Sequence, residues 1–153
     1  FSTQNANSIA VGTGAGYAGQ GANSIALGYQ AAGNTITGVY QNAFGIAIGT
    51  SAGYTSQQVN TIAIGTQAGF TNQNDTGIAI GYRSGGNIQQ FNAIAIGNTS
   101  GRYSQSKFAT AVGAASALTA QGEGAVAIGY SAGNFYQGKN SIAIGNSSGG
   151  QQE

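Results

Sequence analysis

Nine short apolar stretches of this chain end alike, in a branched residue, alanine, an aliphatic residue and glycine. The copies close on Gly12, Gly28, Gly49, Gly65, Gly81, Gly97, Gly113, Gly129 and Gly145. Consecutive glycines are 16 residues apart, except Gly28 and Gly49, which are 21 apart. A fixed period this short belongs to a solenoid in which each repeat forms one coil. The expected fold is therefore all-β: a parallel β-solenoid of the β-roll type, with nine 16-residue coils and a five-residue insertion in one of them. Residues 1–153 read as a single repeat domain and as a segment of a longer chain.

Aligning the copies turns sequence positions into rows that run along the solenoid. The residue two before each terminal glycine is always alanine, and its neighbours are aliphatic apart from Thr110, as in Ile62-Ala63-Ile64, Ile78-Ala79-Ile80 and Ile94-Ala95-Ile96. Four before the glycine the residue is again small. This is the period-two alternation of a strand, yet neither face carries the polar side chains of a wetted sheet. Both faces must be packed. Either the aliphatics fill the roll and alanine meets a partner, or alanine fills a thin roll and the aliphatics meet the partner. Burial of the aliphatic column, with the backbone ladders, is expected to supply the stability.

Eight residues before every terminal glycine stands a glutamine: Gln4, Gln20, Gln41, Gln57, Gln73, Gln89, Gln105, Gln121 and Gln137. Amides that bond to their own copies on adjacent coils explain such uniformity. Recent duplication of a polar turn is the plainer alternative, although neighbouring turn positions have diverged. Four after the terminal glycine comes a second small residue, glycine in seven coils and Ala32 or Ala117 in the others. It reads as a corner with positive φ or a close backbone approach, the two alanines counting against strict positive φ. Six before the glycine, successive coils carry Asp75, Phe91, Lys107, Glu123 and Lys139, so stacking sets Glu123 between two lysines.

Composition excludes several function classes. Charged residues make up 5% of the chain, with four basic residues and a net charge of +1. A nucleic-acid binder needs many more cations to displace phosphate counterions. Histidine and cysteine are absent, so neither a Ser-His-Asp or Cys-His nucleophile nor a thiolate metal site can be built. The acids Asp75, Glu123 and Glu153 fall in separate coils, too far apart for a carboxylate pair or a calcium cage. The expectation is no enzyme and no cofactor. No apolar run approaches the roughly 18 residues of a membrane span, so no membrane insertion is expected. A G-x-G-x-x-G pattern at residues 14–19 has no helix after it and reads as a solenoid corner.

Residues 140–145 read Asn-Ser-Ile-Ala-Ile-Gly, nearly repeated at 7–12 and 23–28, and this unit resembles the head repeats of trimeric autotransporter adhesins. Ala127-Ile128-Gly129-Tyr130-Ser131-Ala132-Gly133 is equally similar to Gly-rich repeats of tail-fibre and giant-virus surface proteins. The resemblance implies a left-handed β-roll assembled as a trimer, with an extracellular, cell-surface or virion-surface location. The chain departs from the adhesin pattern in its uniform 16-residue period and its invariant glutamine.

On this reading the chain is a structural or interaction protein, a rigid fibre or adhesin-head segment. It would self-associate as a homotrimer, or head to tail into a filament. One alternative is a module that binds a host surface protein or glycan. A remote one is an ice-binding solenoid, whose flat threonine array is spoiled by the mixed row Thr13, Tyr29, Thr50, Thr66, Tyr82, Asn98. Candidate surface contacts are Tyr29, Tyr82 and Tyr130, which share that row, and Ile36 and Tyr40 at the insertion, which centres on residues 34–38. Shielding of coil edges or subunit seams is the plainer role for the tyrosines.

Overall fold

The computed structural model describes residues 4–33 and 41–149, which form a parallel β-solenoid with no helix among them. The insertion, with Ile36 and Tyr40, lies outside the described residues. Nine three-residue strands build one sheet: β1 Ile9–Val11, β2 Ile25–Leu27, β3 Ile46–Ile48, β5 Ile62–Ile64, β7 Ile78–Ile80, β9 Ile94–Ile96, β11 Thr110–Val112, β13 Val126–Ile128 and β14 Ile142–Ile144. Five two-residue strands build a second: β4 Ser56–Gln57, β6 Asn72–Gln73, β8 Ile88–Gln89, β10 Ser104–Gln105 and β12 Ala120–Gln121. Single bridges from Gln4 to Gln20, Gln20 to Gln41, Gln41 to Gln57 and Gln121 to Gln137 extend the second sheet.

Each alanine pairs with the alanine of the next coil, as Ala63 does with Ala79 and Ala79 with Ala95. Across the 21-residue step, β2 still pairs with β3 in register, Ala26 opposite Ala47. The extra residues leave the flanking coils unshifted.

The interior is small. Ala26, Ala47, Ala63, Ala79, Ala95, Ala111 and Ala127 are fully buried, beside corner alanines and serines and the buried glutamines. The flanking aliphatics face out: Ile62, Ile64, Ile78, Ile80 and Ile94 are half-buried and Ile96 is exposed. Of the two arrangements the sequence leaves open, alanine fills a thin roll, and the aliphatic column lies on its outer surface. The cause is a close approach of corner to strand. A Cβ built on Gly85 would lie 3.1 Å from the Ala79 Cβ, so nothing larger than a methyl fits between.

Each coil turns through backbone that L-residues seldom adopt. At the second small position the glycines lie at φ 52–62°, and Ala32 and Ala117 at 47° and 46°. The corner does require left-handed backbone, and the two alanines accept it at about 1–2 kcal/mol each. The terminal glycines are more constrained still, at φ 115–129°. A Cβ on Gly81 would sit 2.4 Å from the Gly97 carbonyl oxygen, so this file is glycine for both conformation and space.

Candidate functional site

The glutamine row forms a buried file along the second sheet. Gln57, Gln73, Gln89 and Gln105 have no exposed surface. Amide-to-amide bonds run Gln20 to Gln41 (3.2 Å), Gln41 to Gln57 (2.9 Å) and Gln57 to Gln73 (3.4 Å). A second run links Gln89 to Gln105 (3.2 Å), Gln105 to Gln121 (3.1 Å) and Gln121 to Gln137 (3.1 Å). Between the runs the Gln89 Oε1 has no donor, and neither has the Gln20 Oε1, because Gln4, expected in the ladder, is exposed and turns its Nε2 to the Ser8 carbonyl.

A second set of bonds, not anticipated from the sequence, is more uniform. The Nε2 of each glutamine from Gln20 to Gln137 donates across the roll to the first carbonyl of the preceding long strand, at 2.6–3.1 Å. Gln73 reaches Ile62, Gln89 reaches Ile78 and Gln105 reaches Ile94. The side chain thus ties one sheet to the other as well as one coil to the next. A shorter or apolar replacement would take the donor from these buried carbonyls, at a cost of about 1–3 kcal/mol.

The outer face of the nine-stranded sheet carries two parallel rows of aliphatics, interrupted only by Thr110. It rises roughly 40 Å at the usual strand spacing. Ile62, Ile64, Ile78, Ile80, Ile94 and Ile96 form its middle, and no charged side chain stands among the rows. This is an apolar surface that a single roll leaves in water.

The proposed contact tyrosines do not converge. Tyr29, Tyr82 and Tyr130 are all exposed, but they fall on the second, fifth and eighth coils, about 14 Å apart. In the row five after the terminal glycine, Tyr54 and Phe70 stack with centroids 5.2 Å apart and planes at 7°. The acids are separated. Asp75 Oδ1 accepts from the Val59 N–H at 3.0 Å, and Glu123 lies 3.4 Å from Lys139. Lys107, expected on the other side of Glu123, has its ammonium 6.0 Å above the Phe91 ring instead. Among the described residues no three His, Cys, Asp or Glu gather into a possible metal site.

Two arginines outside the repeat motif also come together. Arg83 and Arg102 belong to different rows of adjacent coils, and the fold brings both to one corner beside Phe70. Their positions on the aligned coils are the signal in the sequence that could have found them.

The family model of the YadA head domain repeat matches residues 20–32, 119–132 and 137–148. Two of these segments begin on a glutamine of the file, and all three take in a long strand, its terminal glycine and at least the three residues that follow. The chain carries adhesin-head-like repeats on a β-solenoid. No curated protein and no solved structure matches it.

Proposed function

We propose that this chain is a non-enzymatic structural module of a surface or extracellular adhesin-like fibre, a rigid rod that works as an assembly of three copies. The carrying observation is the outer aliphatic face. With alanine as the only buried apolar residue type, beside serines and the glutamines, each coil gains little from its own core, at about 0.8 kcal/mol for each methyl-sized group. Two larger aliphatics per coil remain outside, and burying each fully adds roughly 1.5–3 kcal/mol. Three rolls about an axis parallel to the solenoid would cover this face along its whole height in closed symmetry. The adhesin-head-like repeats support the same arrangement. Rigidity follows from the paired coils and the glutamine file, which leave no long loop among the described residues to bend.

The test is the mass in solution, by light scattering and native mass spectrometry, of the chain and of a variant with Ile64→Asp and Ile80→Asp. The expected result is a trimer for the parent and a monomer for the variant. A parent that stays monomeric at about 100 μM, or that forms end-to-end filaments in electron micrographs with its aliphatic face uncovered, would overturn the reading.

A further inference from the structure

We propose that the corner spanning the fourth to sixth coils is a recognition site for a single acidic sugar ring. The row five after the terminal glycine runs Tyr54, Phe70, Gly86, Arg102 on consecutive coils. Tyr54 and Phe70 stack one coil apart. Gly86 then interrupts the row, although its φ lies outside the left-handed region that would demand glycine. Beside Gly86 lies a notch of about 200 Å³, lined by Gln67, Phe70, Arg83, Gly86, Asn87 and Arg102.

Two of the four cations in the chain meet here, and no carboxylate lines the notch. Arg83 is held in place: its Nε donates to Gln67 Oε1 at 2.6 Å, and its Cζ lies 5.1 Å from the Tyr82 ring centre. Arg102 lies over Tyr103 at 4.8 Å, and its stem leans towards Gly86. Both guanidinium groups are positioned by aromatic rings, and neither meets an acid among the described residues.

The chemistry selects the ligand class. Planar guanidinium groups take a carboxylate or sulfate through paired N–H donors. The Phe70 face accepts the C–H side of a pyranose ring, and the Asn87 and Gln67 amides suit its hydroxyls. A flat aromatic anion would use Phe70 and the arginines but offer no hydroxyls to the Asn87 amide or the Gln67 NH2 group. A nucleic acid would need more than two cations. The volume suits one ring at a time. This site goes beyond the scaffold role above and does not depend on the number of chains that assemble.

The test is calorimetric titration of the full chain with a hyaluronan tetrasaccharide, sialyllactose, a sulfated heparin disaccharide, neutral lactose and sodium sulfate. At least one acidic sugar should bind, with lactose and sulfate at least about tenfold weaker. Arg83→Gln with Arg102→Gln should lower that affinity about tenfold or more. Gly86→Phe should abolish it by extending the ring row into the notch. The Gly86→Phe variant should stay folded with the parent's assembled mass but melt somewhat lower, because a Cβ there would lie 3.2 Å from the Arg83 carbonyl oxygen. Sulfate binding as tightly as every sugar would reduce the site to an anion contact and overturn the proposal. So would unchanged binding by Gly86→Phe, or no heat from any acidic sugar at about 10 mM.

Discussion

Two glycines of one coil, Gly81 and Gly85, do different jobs, and alanine at each should separate them. Gly81 has φ 123° and leaves no room, with the Gly97 backbone as near as 2.4 Å to its Cβ position. Gly81→Ala should cost at least about 3 kcal/mol by adding strain to overpacking. Gly85 has φ 53°, and Ala32 and Ala117 occupy the same row. Gly85→Ala should cost less, about 1–2 kcal/mol in strain plus a small shift of the Gln89 amide, whose Oε1 would lie 3.0 Å from the new methyl. Equal losses in a urea melt would refute the distinction. Gln89 offers a pH test. Its Nε2 donates to the carbonyls of Ile78 (2.7 Å) and Ala93 (2.9 Å) in full burial. Glutamate there would be desolvated and, once ionised, would face oxygens with nothing to donate. Its folded pKa would be raised above the unfolded value of about 4.3. An acid with a raised folded pKa is tolerated below its unfolded pKa, and stability falls as pH rises through the folded one. Gln89→Glu should therefore melt near the parent below about pH 4 and lose at least about 2 kcal/mol by pH 7. A loss that is independent of pH would show that the donor is not what matters.

At the scale of the coil, repetition made the fold legible. A glutamine or alanine that recurs every 16 residues is by itself a mark of in-register stacking. The inward direction was not legible, because both strand faces are apolar and alternation alone has no sign. The gap between the Gly85 corner and the Ala79 methyl decides it, and that gap is set by backbone turns that sequence pattern does not display. Some of those turns hide behind ordinary residues. Gln30, Ser51, Arg83 and Ala115 sit at φ 52–55° two after the terminal glycine. The row five before the glycine left a trace: Asn7, Asn23, Asn60, Asn92 and Asn140 are left-handed, as asparagine readily is, and Phe44 and Phe108 take the same conformation. The crosswise glutamine bonds left no trace of this kind, because a row explains contacts along the axis and says nothing of what lies opposite. If the coil is the unit, whole coils are removable. Deleting residues 82–97, one full period, should leave a folded chain with a modestly lower melting temperature. Deleting residues 82–89 removes half a coil and should unfold the flanking coils. Circular dichroism that fails to separate the two deletions would argue against coil-by-coil stacking.

For the molecule as a whole, the division of side chains between interior and surface links folding to association. The roll keeps alanine and glutamine for itself and presents isoleucine outward, so the largest apolar side chains of the strands can be buried only by another molecule. If that molecule is a second and third copy, unfolding and dissociation are one equilibrium, and stability depends on chain concentration by mass action. For a trimer, each tenfold rise in concentration adds about 0.9 kcal/mol per chain. In a chain of this size that raises the melting temperature by roughly 2–4 °C. Ile64→Asp with Ile80→Asp should lower the melting temperature and also remove its dependence on concentration. Acidic residues on a purely solvent-facing surface would do neither, since surface substitutions away from contacts stay within about 0.5 kcal/mol. A parent melting temperature that is constant across a hundredfold dilution would mean that the aliphatic rows are not covered by copies of this chain, and the trimeric rod would have to be abandoned.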